Sequence, residues 1–305
     1  MTAENSPKPE DVQALLARYV QNRKNLPDDA AIIARYGCFV GSQIESHVFL
    51  ERAMTHGRKQ IRETVAAGKS FRNGTVILAD SMGSSKGRFS RVWHAPAGGV
   101  WGCLVHANTL LPGSRSFLPL AVGLACCEAV RDSGAESATI RWVNDVLLDD
   151  RKLAGFLVET FTEETTGEEY NLVGFGINVN NSRFPAELSS NAVSLSEILG
   201  REVDLVSFSV LFLSRLAWYF GLLHYEEARG LRGDGFSGKD GEHLLLCRWK
   251  ELSDTIGRRV LYGFDVMESP QYEGKVLGIN PAGGLVIQLD DGFEKTEYSG
   301  EVRYL

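Results

Sequence analysis

Residues 138–161 read ATIRWVNDVLLDDRKLAGFLVETF, and residues 168–181 read EEYNLVGFGINVNN. In the first stretch two apolar, β-rich runs flank a polar turn at hairpin spacing, and the second is a further strand running into a Gly/Asn-rich exit. Upstream, Asn73-Gly74 turns the chain into TVILAD (75–80) and WGCLVHANTLL (101–111) follows, both with buried-strand signatures. LPLAVGLACCEAVRDSG (118–134) reads as a buried helix stopped at Ser133-Gly134. Strands outnumber helices and are mostly hairpin-linked. An α+β layer follows, with a mixed sheet carrying helices on one face.

Working outward, polarity repeats at helical spacing from Ile44 to Val65, and an apolar strand is expected at Cys38–Val40. Ahead of it lie a polar tail and one short amphipathic helix around DVQALLARYV (11–20). Those roughly 40 residues are too few for a winged-helix domain, which needs about 60 or more. On the other side, residues 205–227 form a strongly apolar helix, a Gly-rich break spans 230–241, and a last helix lies around HLLLCRWKEL (243–252). After Gly257 short strands alternate with turns at Asn280-Pro281, Gly283-Gly284 and Asp291-Gly292, the signature of a small β-barrel. The expected division is an N-terminal extension (1–37), a catalytic domain (38–256) and a C-terminal barrel (257–305).

The 305 residues carry 32 Lys and Arg against 39 Asp and Glu, a net charge of −7. No overall basic field exists for non-specific nucleic-acid binding, so any anion must meet a local cluster. Of five cysteines, four lie in apolar runs and no CxxC pair occurs, which reads as buried thiols in a reducing compartment without structural zinc. The N-terminus has no apolar core and no uninterrupted apolar run approaches 18 residues, so neither a signal peptide nor a membrane span is expected; cytoplasm is the default.

Two constellations carry candidate chemistry. The segment SMGSSKGRFSR (81–91) intersperses Lys86, Arg88 and Arg91 with small residues. Such a loop lets backbone N–H groups approach a carboxylate or phosphate, although alone it also reads as a solvated surface loop. It fits neither the Walker A nor the GxGxxG spacing. The second is Arg141-Trp142-Val143-Asn144-Asp145 followed by Arg151-Lys152-Leu153-Ala154-Gly155. Asn-Asp at a strand end is often plain turn chemistry. Lys152 stands out because it opens an apolar strand, where an ammonium facing the sheet needs a purpose.

Taken together, SKGRFSRVW (85–93), HAPAGGVW (94–101), RWVND (141–145), RKLAGFLVE (151–159) and GFGINVNN (174–181) resemble, in order, the motifs of the biotin–protein ligases, relatives of the lipoate ligases. GRRV (257–260), YEGKVLGINPAGGLVI (272–287) and YSGEV (298–302) resemble that family's small SH3-like C-terminal barrel. The resemblance implies ATP, Mg²⁺ and biotin, with transfer of biotin to a lysine of a biotin carboxyl carrier protein or domain. It implies that Lys152 meets the acid's carboxylate and the α-phosphate, that Arg88 orders the loop, and that Arg91 faces the ATP phosphates. Trp93 would wall the biotin tail, Gly155 would lie near the ring system, Asn178 would face adenine, and Asp145 would position the reacting groups or magnesium. Ser46, Met82, Ser85 and Lys86 fall on the biotin side and Asn144 on the ATP side.

Departures from the family pattern are Ser85 and Ser90 for glycines, Phe89 for arginine, Val143 for proline, Arg141 for lysine, and Met82-Gly83 for a glutamine-threonine pair. Met82 lacks the donors and acceptors of the glutamine that meets the ureido ring. A ligase for lipoate or another acid, and a non-catalytic ligand-binding relative, are therefore the alternatives. Oligomeric state is open, a homodimer among the options, and neither nucleic acid nor membrane is an expected partner.

Overall fold

The structure is a computed structural model, described here for residues 6–23 and 27–305. In chain order the elements are α1 (Pro9–Asn22), α2 (Ala30–Gly37), β1 (Gln43–Leu50), α3 (Ala53–Ala66), β2 (Thr75–Met82), β3 (Val100–Ala107), α4 (Pro112–Arg115), α5 (Leu118–Asp132), β4 (Thr139–Arg141), β5 (Asp145–Leu148), β6 (Arg151–Thr162) and β7 (Glu169–Ile177). Then follow α6 (Leu195–Leu199), α7 (Leu205–Arg232), α8 (Leu244–Leu252) and the strands β8 (Arg259–Gly263), β9 (Tyr272–Ile279), β10 (Leu285–Gln288), β11 (Glu294–Glu297) and β12 (Glu301–Tyr304).

A seven-stranded sheet has the order β1-β2-β3-β7-β6-β5-β4, with β1 parallel to β2 and every other pair antiparallel. The expected mixed sheet is present, but helices cover both faces. Alternate residues on β2 show why: Val76 and Leu78 join the large core with α5 and α7, while Ile77 joins a smaller one with Met54 and Ile61 of α3. α3 is the crossover that the parallel β1–β2 pair demands.

Three local expectations are corrected. Residues 44–50 are a strand, not the start of a helix; β1 lies at the sheet edge with both faces half-exposed, so its polarity carries no clean period-two signal. Cys38–Val40 is the end of α2 and a turn that passes through Gly41 at φ 73°. Residues 138–161 hold three strands, because the chain also turns between Arg141 and Asp145. Cys103, Cys126 and Cys127 are buried as expected, whereas Cys38 is exposed and Cys247 half-buried.

α7 starts at Asp204, whose carboxylate accepts from the Ser207 N–H at 2.7 Å, and stops at Gly233 in the left-handed region. It is long and apolar enough to span a bilayer, yet most of its apolar stretch is buried inside the protein. α2 packs against it backbone to backbone: a Cβ on Gly37 would lie 1.8 Å from the Ala217 carbonyl oxygen, and one on Gly221 2.1 Å from that of Ile33. α1 joins through Glu128 of α5, a buried carboxylate that accepts from Tyr19 at 3.1 Å and pairs with Arg248 of α8 at 2.6 Å. Strands β8–β12 form a second, wholly antiparallel sheet of five, consistent with an SH3-like barrel.

Candidate active site

A cavity of about 700 Å³ opens over the α3 face of the main sheet, between the loop that follows β2 and the C-terminal barrel. Its floor depends on what β6 and β7 leave out. Gly155 and Gly176 are directly paired across the two strands, and the Trp93 indole lies on their bare backbone. A Cβ on Gly176 would sit 2.5 Å from Trp93 Nε1, and one on Gly155 3.0 Å from the indole ring. Trp93 Nε1, against Gly176 on this floor, is buried with no hydrogen-bond partner.

Lys152 opens β6 beside this floor. Its ammonium stands 2.6 Å from Asp145 Oδ1 and 5.5 Å from the Trp93 ring centroid. Arg141 holds the other carboxylate oxygen of Asp145 at 2.7 Å. Burial alone would raise the Asp145 carboxyl, but Lys152 and Arg141 overcome it and hold its pKa at about 2. The carboxylate is thus ionised at neutral pH and holds the lysine. A segment after β7 fixes the lysine backbone, with Lys152 N–H donating to Asn191 at 2.7 Å and Val193 N–H to Lys152 at 3.1 Å.

The loop that follows β2 folds back on itself: Trp93 N–H donates to Ser85 at 3.0 Å and Gly87 N–H to Arg91 at 2.8 Å. The barrel latches it. Arg88 donates to the Gly300 carbonyl at 2.7 Å and to Asn144 Oδ1 at 3.4 Å, and Arg91 pairs with Glu301 at 2.7 Å and Asp265 at 3.0 Å. Phe89, at φ 55°, sets its ring against Phe264 with centroids 5.7 Å apart.

Of the residues singled out from sequence, Met82, Ser85, Lys86, Arg88, Arg91, Trp93, Asn144, Asp145, Lys152, Gly155 and Asn178 all line this one cavity. Ser46 does not. It sits mid-strand on β1, paired with Leu78, and the corner after that strand supplies Arg52, Ala53 and Met54 to the wall instead. Arg52 is held there by Glu159 at 3.0 Å. The wall at Phe184, Glu187 and Leu188 is unanticipated; the family resemblance implies that the barrel covers the nucleotide side or helps dock the carrier, but not which of its residues line the cavity, here Asp265–Glu268 and 300–303. The barrel contribution has no local sequence signal, since it depends on how two sheets dock.

The profile of the Biotin/lipoate A/B protein ligase family matches residues 61–178. The chain is 32% identical over 224 residues to a biotin–[acetyl-CoA-carboxylase] ligase of Paracoccus denitrificans, covering 70% of this chain and 83% of that one. It is 27% identical over 263 residues to the bifunctional ligase/repressor BirA of Bacillus subtilis, covering 84% of this chain and 73% of that one. The fold is similar to that of a biotin protein ligase from Aquifex aeolicus solved with biotin and ATP, at a TM-score of 0.65, 23% identity and coverage of 86% and 98%. With its motifs gathered around one cavity and that level of likeness to its relatives, the chain belongs to the biotin–protein ligase family.

Proposed function

We infer that this protein is an ATP-dependent biotin–protein ligase. A biotin carboxylate oxygen attacks the α-phosphorus of ATP, the bond to the β-phosphate oxygen breaks, and pyrophosphate leaves. The amine of a carrier lysine then attacks the acyl carbon of biotinyl-5′-adenylate, and AMP departs as the amide forms and the amine loses its proton. The observation that carries this reading is Lys152: an ammonium oriented by a largely buried carboxylate at 2.6 Å, beside an indole seated on two glycines.

The first step brings a carboxylate to a polyanion. Lys152 lies where it can lower that repulsion, and Arg88 and Arg91 add positive charge on the roof. Trp93 and the glycine floor suit the flat, apolar body of the acid, with Met82, Met54 and Arg52 at its far end. Asn144 and Asn178, both buried, suit the nucleotide side. Asp145 acts as the positioning group for Lys152. Both of its oxygens are taken by cations, so it does not fit a magnesium ligand. Mg²⁺ arriving with ATP would be held chiefly by phosphate oxygens. The partner in the second step is a biotin carboxyl carrier protein or domain, and the latched roof shields the mixed anhydride from water until it docks.

Replacing Lys152 with Ala is expected to abolish biotin-dependent pyrophosphate release while circular dichroism and thermal midpoint stay near wild type. Pyrophosphate release at the wild-type rate would overturn the assignment.

A further inference from the structure

Away from the cavity, the outer face of β1 and the facing side of α3 bring together groups that the ligation chemistry does not use. Glu45 and His47 are two apart on a strand and share a face, and His56 and Gln60 are one helical turn apart and face them. One potential ligand atom from each of Glu45, His47 and His56 lies within 4.8 Å of the others. The imidazoles meet edge to face with centroids 4.7 Å apart. His47 Nε2, His56 Nε2 and Gln60 Oε1 are all buried without a hydrogen-bond partner, three orphaned atoms in one place. The Glu45 carboxylate is steered by Gln43 at 2.8 Å and Gln60 at 2.6 Å, and the Glu45–His47 separation of 3.7 Å is too long for a hydrogen bond.

We propose that Glu45, His47 and His56 form a binding site for a divalent transition-metal ion of the zinc class, with a fourth position for water or the Gln60 amide oxygen. Two imidazoles and a carboxylate are a recognised donor set for such an ion. Closing them around it, with metal–donor bonds of about 2.0–2.2 Å, needs only short side-chain movements. An ion there would staple the edge strand to α3 across the corner that sends Arg52, Ala53 and Met54 into the cavity. The site is independent of the ligase assignment.

The test uses the full chain, stripped with a chelator and titrated with Zn²⁺ by calorimetry and with Co²⁺ by its visible ligand-field bands. One ion per chain is expected, with a rise in thermal midpoint. His47→Ala and His56→Ala should each weaken binding about tenfold or more, and Glu45→Gln should change the Co²⁺ spectrum. Cys38→Ser should leave binding intact. The proposal fails if no saturable binding occurs, if binding survives both histidine substitutions, or if it follows the exposed Cys38 instead. Should a histidine variant misfold, an unchanged Co²⁺ spectrum in Glu45→Gln overturns the proposal by itself.

Discussion

One face of the main sheet is built in two opposite ways. Beneath α3 it is filled: Ile77, Val105, Phe161 and Leu172 close a core with Met54 and Ile61. Further along the same strands the side chains vanish. On β7 the inward positions run Leu172, Gly174, Gly176, and on β6 they run Phe161, Glu159, Leu157, Gly155. Gly174 is capped by Met54, whose sulfur would lie 2.7 Å from an added Cβ, and Gly176 by Trp93. The space for substrate is made by withholding side chains from rigid strands. The filled half should therefore govern stability and the empty half chemistry.

The sharpest way to break that contrast is Gly176→Val. Its side chain would push the indole off the floor, and a displacement of about 1 Å at a reacting centre costs on the order of 100-fold in rate. Pyrophosphate release should fall by at least that much in a protein that still melts cooperatively. The complementary change, Leu172→Ala, should cost about 2–5 kcal/mol of stability, read as a lower denaturation midpoint, while the rate per folded molecule is unchanged at low temperature. If the two substitutions exchanged phenotypes, the division of the face would be wrong. Met82→Gln restores a hydrogen-bonding side chain at the cavity wall and should tighten biotin about 5- to 150-fold by calorimetry; no change would mean that position 82 does not reach the ureido ring. Smallest is Arg91→Ala. Arg91 and Asp265 are solvent-exposed and only Glu301 is partly buried, so the lost ion pairs are worth about 1 kcal/mol or less. A few-fold rise in the KM for ATP at most is expected, in contrast to Lys152→Ala.

Much of the site was legible because its residues come in contiguous runs. Lys152 and Gly155 share one strand, Arg88, Arg91 and Trp93 one loop, and each run contains the polar residue that betrays it. Ser46 misled because the edge strand β1 continues past it to Leu50, which moves the cavity wall to Arg52 and Met54. The helix expected over 44–50 arose from the same strand, whose half-exposed faces blur the periodicity. α2 went unread since its eight residues are too short for a firm helical pattern and its contact with α7 relies on Gly37 and Gly221, which hydrophobic periodicity cannot register. The second covered face was missed because α3 supplies only a few apolar residues to it.

Phe89 gives the roof a strained backbone position. A non-glycine residue at φ 55° costs about 1–2 kcal/mol, and here the contact with Phe264 is set against that cost. The closed roof therefore carries backbone strain that the Phe264 contact and the Arg88 and Arg91 latch offset. A firmly shut roof would protect the adenylate from hydrolysis but would also exclude the carrier lysine, which arrives on another protein. The strain at Phe89 subtracts from what the Arg88 and Arg91 contacts contribute, so it lowers the free energy that a docking carrier must supply to open the roof.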